Sequence, residues 1–271
     1  MALLVLGAGC SDNATVLPDR RDYAGGSPAP LACVPNLDGR IDAAEVKPAI
    51  GVSVSYLVSP AGSERSVDVL GFASPSGLVF PFSTDYADDA TVRITPALAA
   101  DKWYGPSFPA DAFVTPLDAG GSLENIGRHS EQGLLLLGIA SRDENPPEGK
   151  TLAIYDPPVE VLRFPIQPGT SFVSAGEVKG ATIRGLPYAG RDTYEVSVDA
   201  TGNLVLPAFT FTEAHRVRTK VTVEPAVGNS TTRRQVSYFF ECFAEVVRVT
   251  SLPDEADPNF TIASEVRRIG F

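Results

Sequence analysis

Over long stretches of the second half of this chain, side-chain character changes at every other residue. Tyr194, Val196 and Val198 alternate with Glu195, Ser197 and Asp199, and His215, Val217, Thr219, Val221 and Val223 alternate with Arg216, Arg218 and Lys220. A period of two sends successive side chains to opposite faces of a pleated strand, whereas a helix would repeat every 3.6 residues. No sustained helical period occurs anywhere, which excludes α/β layers, and the reading is an all-β, single antiparallel domain with few short helices. Further strands are expected at residues 77–82, 90–95, 112–115, 123–126, 133–140, 151–155, 159–164, 171–178, 236–248 and 259–269, separated by Pro, Gly and Asp clusters. The run Leu134 to Ala140 is apolar at both parities, so it belongs in a stretch of sheet covered on both sides. Residues 52–58 and 66–72 are expected to pair as a hairpin, residues 199–203 to form a turn, and residues 96–103 to be helical.

Charge and cysteines bound the surroundings. Lys plus Arg total 22 against 33 Asp plus Glu, a net charge of -11, so nucleic acid is not expected as a partner. Near the start stands Leu6-Gly7-Ala8-Gly9-Cys10, small residues ahead of one cysteine after a short apolar run. The stretch Leu4-Val5-Leu6-Gly7-Ala8-Gly9 also fits a strand entering a nucleotide-binding turn, but Asp12 takes the third glycine position, Pro18 prevents a long helix, and no βαβ pattern follows. The cysteine box resembles the lipidation site of bacterial lipoproteins. That resemblance implies that Cys10 carries lipid and that the protein sits at an outer membrane or cell surface, facing periplasm or exterior. The expected division is a remnant signal with the lipidated cysteine at 1–10, a Pro- and Gly-rich tether at 11–32, and an all-β domain at 33–271. With Cys10 so assigned, Cys33 and Cys242 remain as a disulfide pair in an oxidising compartment, the alternative being two buried free thiols.

The search for chemistry yields little. Asn36, Asp38, Asp42 and Glu45 fall at four ligand positions of a calcium loop, but Val34 occupies the first. The segment therefore reads as an Asp-Gly turn and a helical turn capped by Asp42, with calcium the weaker alternative and no other cofactor expected. His129 lies in a polar turn and His215 among valines, and both read as structural. No nucleophile elbow, zinc-binding His pair, P-loop or C-x-x-C occurs, and Asp88, Asp89, Glu241 and Glu245 have no spacing that defines a catalytic pair. Tyr238, Phe239, Phe240 and Phe243 read as sheet core with one exposed ring, and Arg216, Arg218 and Lys220 as a solvated basic stripe.

Two pieces carry a looser resemblance: Phe164-Pro-Ile-Gln-Pro-Gly-Thr-Ser-Phe172, and the meander of residues 192–250 with its aromatic strand at 238–248. They look like periplasmic lipoproteins whose curved antiparallel sheet forms a half-barrel. The resemblance implies a concave side holding an acyl chain or a partner segment. A two-sheet sandwich would give nearly the same pattern and stands as the alternative. The resulting expectation is a non-enzymatic, lipid-anchored envelope protein that binds an apolar ligand or an envelope protein. Its alternatives are a structural or assembly lipoprotein without a pocket, and a hydrolase.

Overall fold

The computed structural model describes residues 33–117 and 120–270; the lipidation box at Cys10 and the tether of residues 11–32 lie outside them. Sixteen strands form one sheet. The first half contributes β1 (Val54–Val58), β2 (Arg65–Ser66), β3 (Phe72–Ser74), β4 (Gly77–Pro81), β5 (Ala90–Ile94), β6 (Ala97–Leu98), β7 (Phe113–Pro116), β8 (Leu123–His129) and β9 (Gly133–Ser141). Longer strands follow: β10 (Leu152–Arg163), β11 (Ser171–Ile183), β12 (Leu186–Val205), β13 (Thr210–Pro225), β14 (Thr231–Phe240), β15 (Ala244–Ser251) and β16 (Ile262–Ile269). Among the described residues helix is confined to three 3-10 turns, Ala43–Val46, Ala99–Asp101 and Gly105–Ser107.

The main path runs β5-β1-β16-β15-β14-β13-β12-β11-β10-β9-β8-β7-β6, antiparallel throughout, with β2 beside β16 and β4 lying parallel to the end of β12. One continuous sheet replaces the two-sheet alternative, and it is curved and not closed. Its two terminal strands, β5 and β6, are separated in the chain by Thr95 and Pro96 alone. Three residue steps span at most about 10 Å, so the ends of the strand order approach each other without a hydrogen-bonded seam.

Several sequence expectations change. β1 pairs with β5 and β16, not with residues 66–72, which divide between β2, a crossing and β3. Residues 199–203 are not a turn: β12 runs through them with register shifts between Val198 and Ala200 and between Gly202 and Leu204. Turn-forming residues there serve bulges inside a long strand. Likewise Pro157 and Pro158 fall where the β10–β9 register shifts, between Ile154 and Val159, so β10 continues past them. Residues 96–103 form β6 and a 3-10 turn, and residues 236–248 divide into β14 and β15 around a turn at Glu241–Cys242–Phe243. The two-faced run in β9 behaves as expected, with Leu137 in one apolar cluster and Leu136 in another.

Each face of the central strands carries its own core. On the front face Val236, Tyr238, Val249 and Val266 pack with Val69, Phe80, Phe82 and Leu204. The chain leaves β2 beside β16, reaches β12 through the β3–β4 hairpin and returns to β5, so residues 67–89 strap this face. Buried polar groups pin the strap. Arg216 Nη1 donates to the carbonyls of Val69 and Leu70 at 2.8 Å, and Tyr238 donates its hydroxyl to Val69 at 3.2 Å. Arg268, its side chain 1% exposed, donates to the Phe82 carbonyl at 2.9 Å and pairs with Asp89 at 2.6 Å.

On the back face Val196, Val198, Val217 and Phe239 pack with Leu162, Ile166, Ile41 and Val46. Here the cover is residues 33–46. Ile41 and Ile166 exchange backbone hydrogen bonds of 2.9 and 2.8 Å. The buried Glu241 accepts the N–H groups of Asn36 and Leu37 at 2.5 and 2.9 Å. Beside it Cys33 and Cys242 form a disulfide with Cα atoms 5.6 Å apart. The bond spans 209 residues, and loop closure of that length stabilises by up to about 5 kcal/mol in the chain-entropy model. Non-reducing peptide mapping is expected to recover the two cysteine peptides joined, and reduction to lower the melting temperature. Both thiols freely alkylated in protein from an oxidising compartment would contradict the pairing.

Candidate functional site

Beyond the strap, β11 to β14 continue with their front face open, and the pairing register sets two rows of four side chains across it. Ser171, Ser197, Arg218 and Val236 stand opposite one another, as do Val173, Glu195, Lys220 and Arg234. These residues floor a trough of about 370 Å³ bordered by Pro258. The long strands give the site its rigidity: each row is locked by ladder hydrogen bonds on both sides, so its side chains cannot shift register without exchanging faces. Val173 is 68% exposed, a large aliphatic side chain left open in a lining that mixes charged and hydroxyl groups with apolar ones.

The electrostatics are graded along β13. Asp199 accepts Arg216 Nε at 2.7 Å and Arg218 Nε at 2.6 Å, and Arg218 Nη1 also donates to the Pro258 carbonyl at 2.6 Å. Burial pushes the Asp199 carboxyl up, but the hydrogen bonds and charges of Arg216 and Arg218 outweigh it and hold the group below the usual carboxylate range. Farther along, Lys220 pairs with Glu195 at 2.7 Å. Arg234 donates Nε to the Glu255 carbonyl at 3.0 Å and Nη2 to the Ala256 carbonyl at 2.8 Å. Thus the basic stripe expected to be solvated is divided: Arg216 pins the strap, Arg218 is a braced wall, and Lys220 faces the trough, where Arg234 of β14 joins it.

Other sequence candidates resolve into structural roles. The calcium half-match does not gather: Asn36 Oδ1 accepts the Asp38 N–H, Asp38 Oδ1 the Arg40 N–H, Asp42 pairs with Arg40 at 3.1 Å, and Glu45 accepts the Asp42 N–H at 2.7 Å. Burial raises the Glu45 carboxyl, with the Asp42 hydrogen bond opposing. Among the described residues no group of three or more His, Cys, Asp or Glu is placed to hold a metal ion. His215 is buried with Nδ1 3.2 Å from Thr201 Oγ1, and burial pushes its pKa down against the charge of Glu241. His129 lies against the Phe164 ring and is also lowered by burial, with the Ala43 backbone opposing. Asp88 and Asp89 bind Arg65 at 2.7 and 3.3 Å. Glu245 binds Arg248, Arg267 and Ser237 at 2.7, 3.1 and 2.7 Å, and these neighbours overcome burial to keep its pKa low. Tyr238, Phe239 and Phe240 are core, and Phe243 is the exposed ring at 42%.

Sequence reasoning missed Asp192. It faces inward on β12 and accepts the Tyr155 hydroxyl at 2.5 Å, while its buried Oδ1 has no partner. Burial raises its pKa, with the Tyr155 bond opposing. One acidic residue at the parity of Tyr194 and Val196 was the available signal, since every other member of that row is apolar or aromatic through Val198.

Comparison with protein-family models, curated proteins and solved structures returns no match.

The two carboxylates of β12 should titrate with opposite consequences. Asp199, lowered in the fold, contributes stability that is present above its unfolded value of about 3.9 and lost as pH falls through the folded value. Asp192, raised in the fold, contributes stability that is complete below about 3.9 and lost as pH rises through the folded value. Melting temperature against pH is therefore expected to fall at neutral pH in Asp199→Asn, converging on wild type in acid. In Asp192→Asn it is expected to rise at neutral pH, the amide keeping an acceptor for Tyr155. Curves that shift in parallel at all pH values would contradict both assignments.

Proposed function

We propose that this is a non-enzymatic, lipid-anchored bacterial envelope protein that binds an envelope partner through the front-face trough. The observation that carries the binding role is the trough itself, an open, charged and hydroxyl-bearing floor on rigid paired strands, whereas Asp199, Glu245 and His215 are engaged in structural bonds. Its charged and hydroxyl groups and its open form suit a partner held by hydrogen bonds and ion pairs better than an acyl chain, which needs an enclosure. Support for the address comes from the small residues ahead of Cys10 and from the Cys33–Cys242 disulfide, which belongs to an oxidising compartment. The apolar-ligand form and the structural lipoprotein are the other readings of the same anchor.

Expressed with an upstream export signal in a Gram-negative host, the wild-type protein is expected in the membrane fraction, carrying acyl chains at Cys10 by mass spectrometry. Cys10→Ser is expected to release a folded, soluble form to the periplasm. A wild-type protein that is exported yet soluble and unacylated would overturn the anchor.

A further inference from the structure

We propose that the trough is a site for a doubly charged oxyanion, a phosphate monoester, taken by Arg234 and Lys220 with Arg218 as the fixed wall. The inference rests on the reading of the trough as the binding site, and not on the lipid anchor.

Charge is the first argument. The chain as a whole carries -11, yet the side chains lining the trough include Arg218, Lys220 and Arg234 against the single carboxylate of Glu195. Such a reversal of sign in a confined concavity focuses the field on an anion. The neighbouring loop is acidic, but Asp254, Glu255 and Asp257 direct a carboxylate oxygen to the N–H groups of Thr232, Asp257 and Asn259, and of this loop only Pro258 lines the trough.

The second argument is which cations are free to act. Arg218 is held by Asp199 and the Pro258 carbonyl. Arg234 donates to two backbone carbonyls and forms no ion pair among the described residues, so no carboxylate is bonded to its guanidinium. Lys220 is paired with Glu195, but the two side chains are 33% and 49% exposed, and an exposed pair of this kind is weakly held and exchangeable. An incoming anion can therefore take Lys220 from Glu195 and complete Arg234, without breaking a buried bond.

Geometry supplies the third argument. Lys220 and Arg234 are direct cross-strand neighbours, and the hydroxyls of Ser171 and Ser197 stand in the adjacent row. Two adjacent cations, with the Ser197 hydroxyl one strand from Lys220 in the next row, match the several oxygens and double charge of a phosphate monoester, whereas a lone carboxylate is served by one bidentate arginine. Exposed Val173 beside them gives an apolar contact for the group that bears the ester.

Side-chain NMR of the folded protein titrated with inorganic phosphate tests this. The Arg234 Nε–H and Lys220 Cε signals are expected to move saturably, and Lys220→Gln with Arg234→Gln to weaken binding about tenfold or more. Lys220→Gln alone, which removes only an exposed pair, is the variant to read if the double variant melts early; it is expected to weaken binding as well. Lys179→Gln, whose partner Glu177 lies outside the trough, is expected to bind as wild type. Vesicles of phosphatidic acid in phosphatidylcholine separate the sources: binding that phosphate competes away assigns a lipid headgroup, and phosphate binding without vesicle binding assigns a soluble ester, either supporting the site. Shifts that stay linear with phosphate, or a Lys220→Gln variant that binds as wild type, would overturn it. If polyglutamate saturates the same signals while phosphate does not, the oxyanion class is wrong and the trough remains a binding site.

Discussion

A sheet has two faces, and a single curved sheet that does not close must have both covered wherever its strands are apolar at both parities. That constraint governs this protein. β12, β13 and β14 bear Val196, Val198, Val217 and Phe239 on one side and Leu204, Val236 and Tyr238 on the other. The fold meets it with two lengths of chain that contribute little regular structure of their own: residues 67–89 across the front and residues 33–46 across the back. Each has its own apolar contacts and its own polar pins. The front is held by buried arginines reaching carbonyls, the back by Glu241 reaching amides and by a disulfide.

The pins explain why so many charges lie inside an otherwise apolar molecule. A crossing segment exposes carbonyls that no strand satisfies, and burying them without donors would cost more than the apolar contact returns. Arg216 and Arg268 each present several N–H groups in a fixed fork, enough to bind two carbonyls and a carboxylate at once. Removing one partner from such a buried arrangement destabilises by about 3–5 kcal/mol, because the other charge is left without compensation. The same device continues into the trough, where Arg218 reaches the Pro258 carbonyl and Arg234 on β14 the carbonyls of Glu255 and Ala256.

Much of the sheet was legible because period two survives in β12 and β13 and because the apolar run of β9 could belong only to a strand covered on both sides. The pairing of Cys33 with Cys242 followed from cysteine arithmetic. What escaped the sequence was long-range. Gly202 and Asn203 look like a turn, and only the neighbouring strand turns them into a bulge. A turn after β1 suggests a hairpin, but β1 pairs with β5 and β16, far apart in the chain. The trough was half visible: Arg218 and Lys220 stood out as a stripe, whereas Arg234, Glu195 and the serines join them only through cross-strand register, which no local pattern encodes.

If the two covers are independent, releasing one should leave the other in place. Hydrogen exchange before and after reduction of the Cys33–Cys242 bond, under conditions where the sheet stays folded by circular dichroism, tests this directly. The amides of Ile41 and Ile166, which bond each other across the back cover, should lose protection, while those of Phe82 and Leu206 beside the front strap keep theirs. Equal loss on both faces, or unchanged protection at Ile41 and Ile166, would contradict the account.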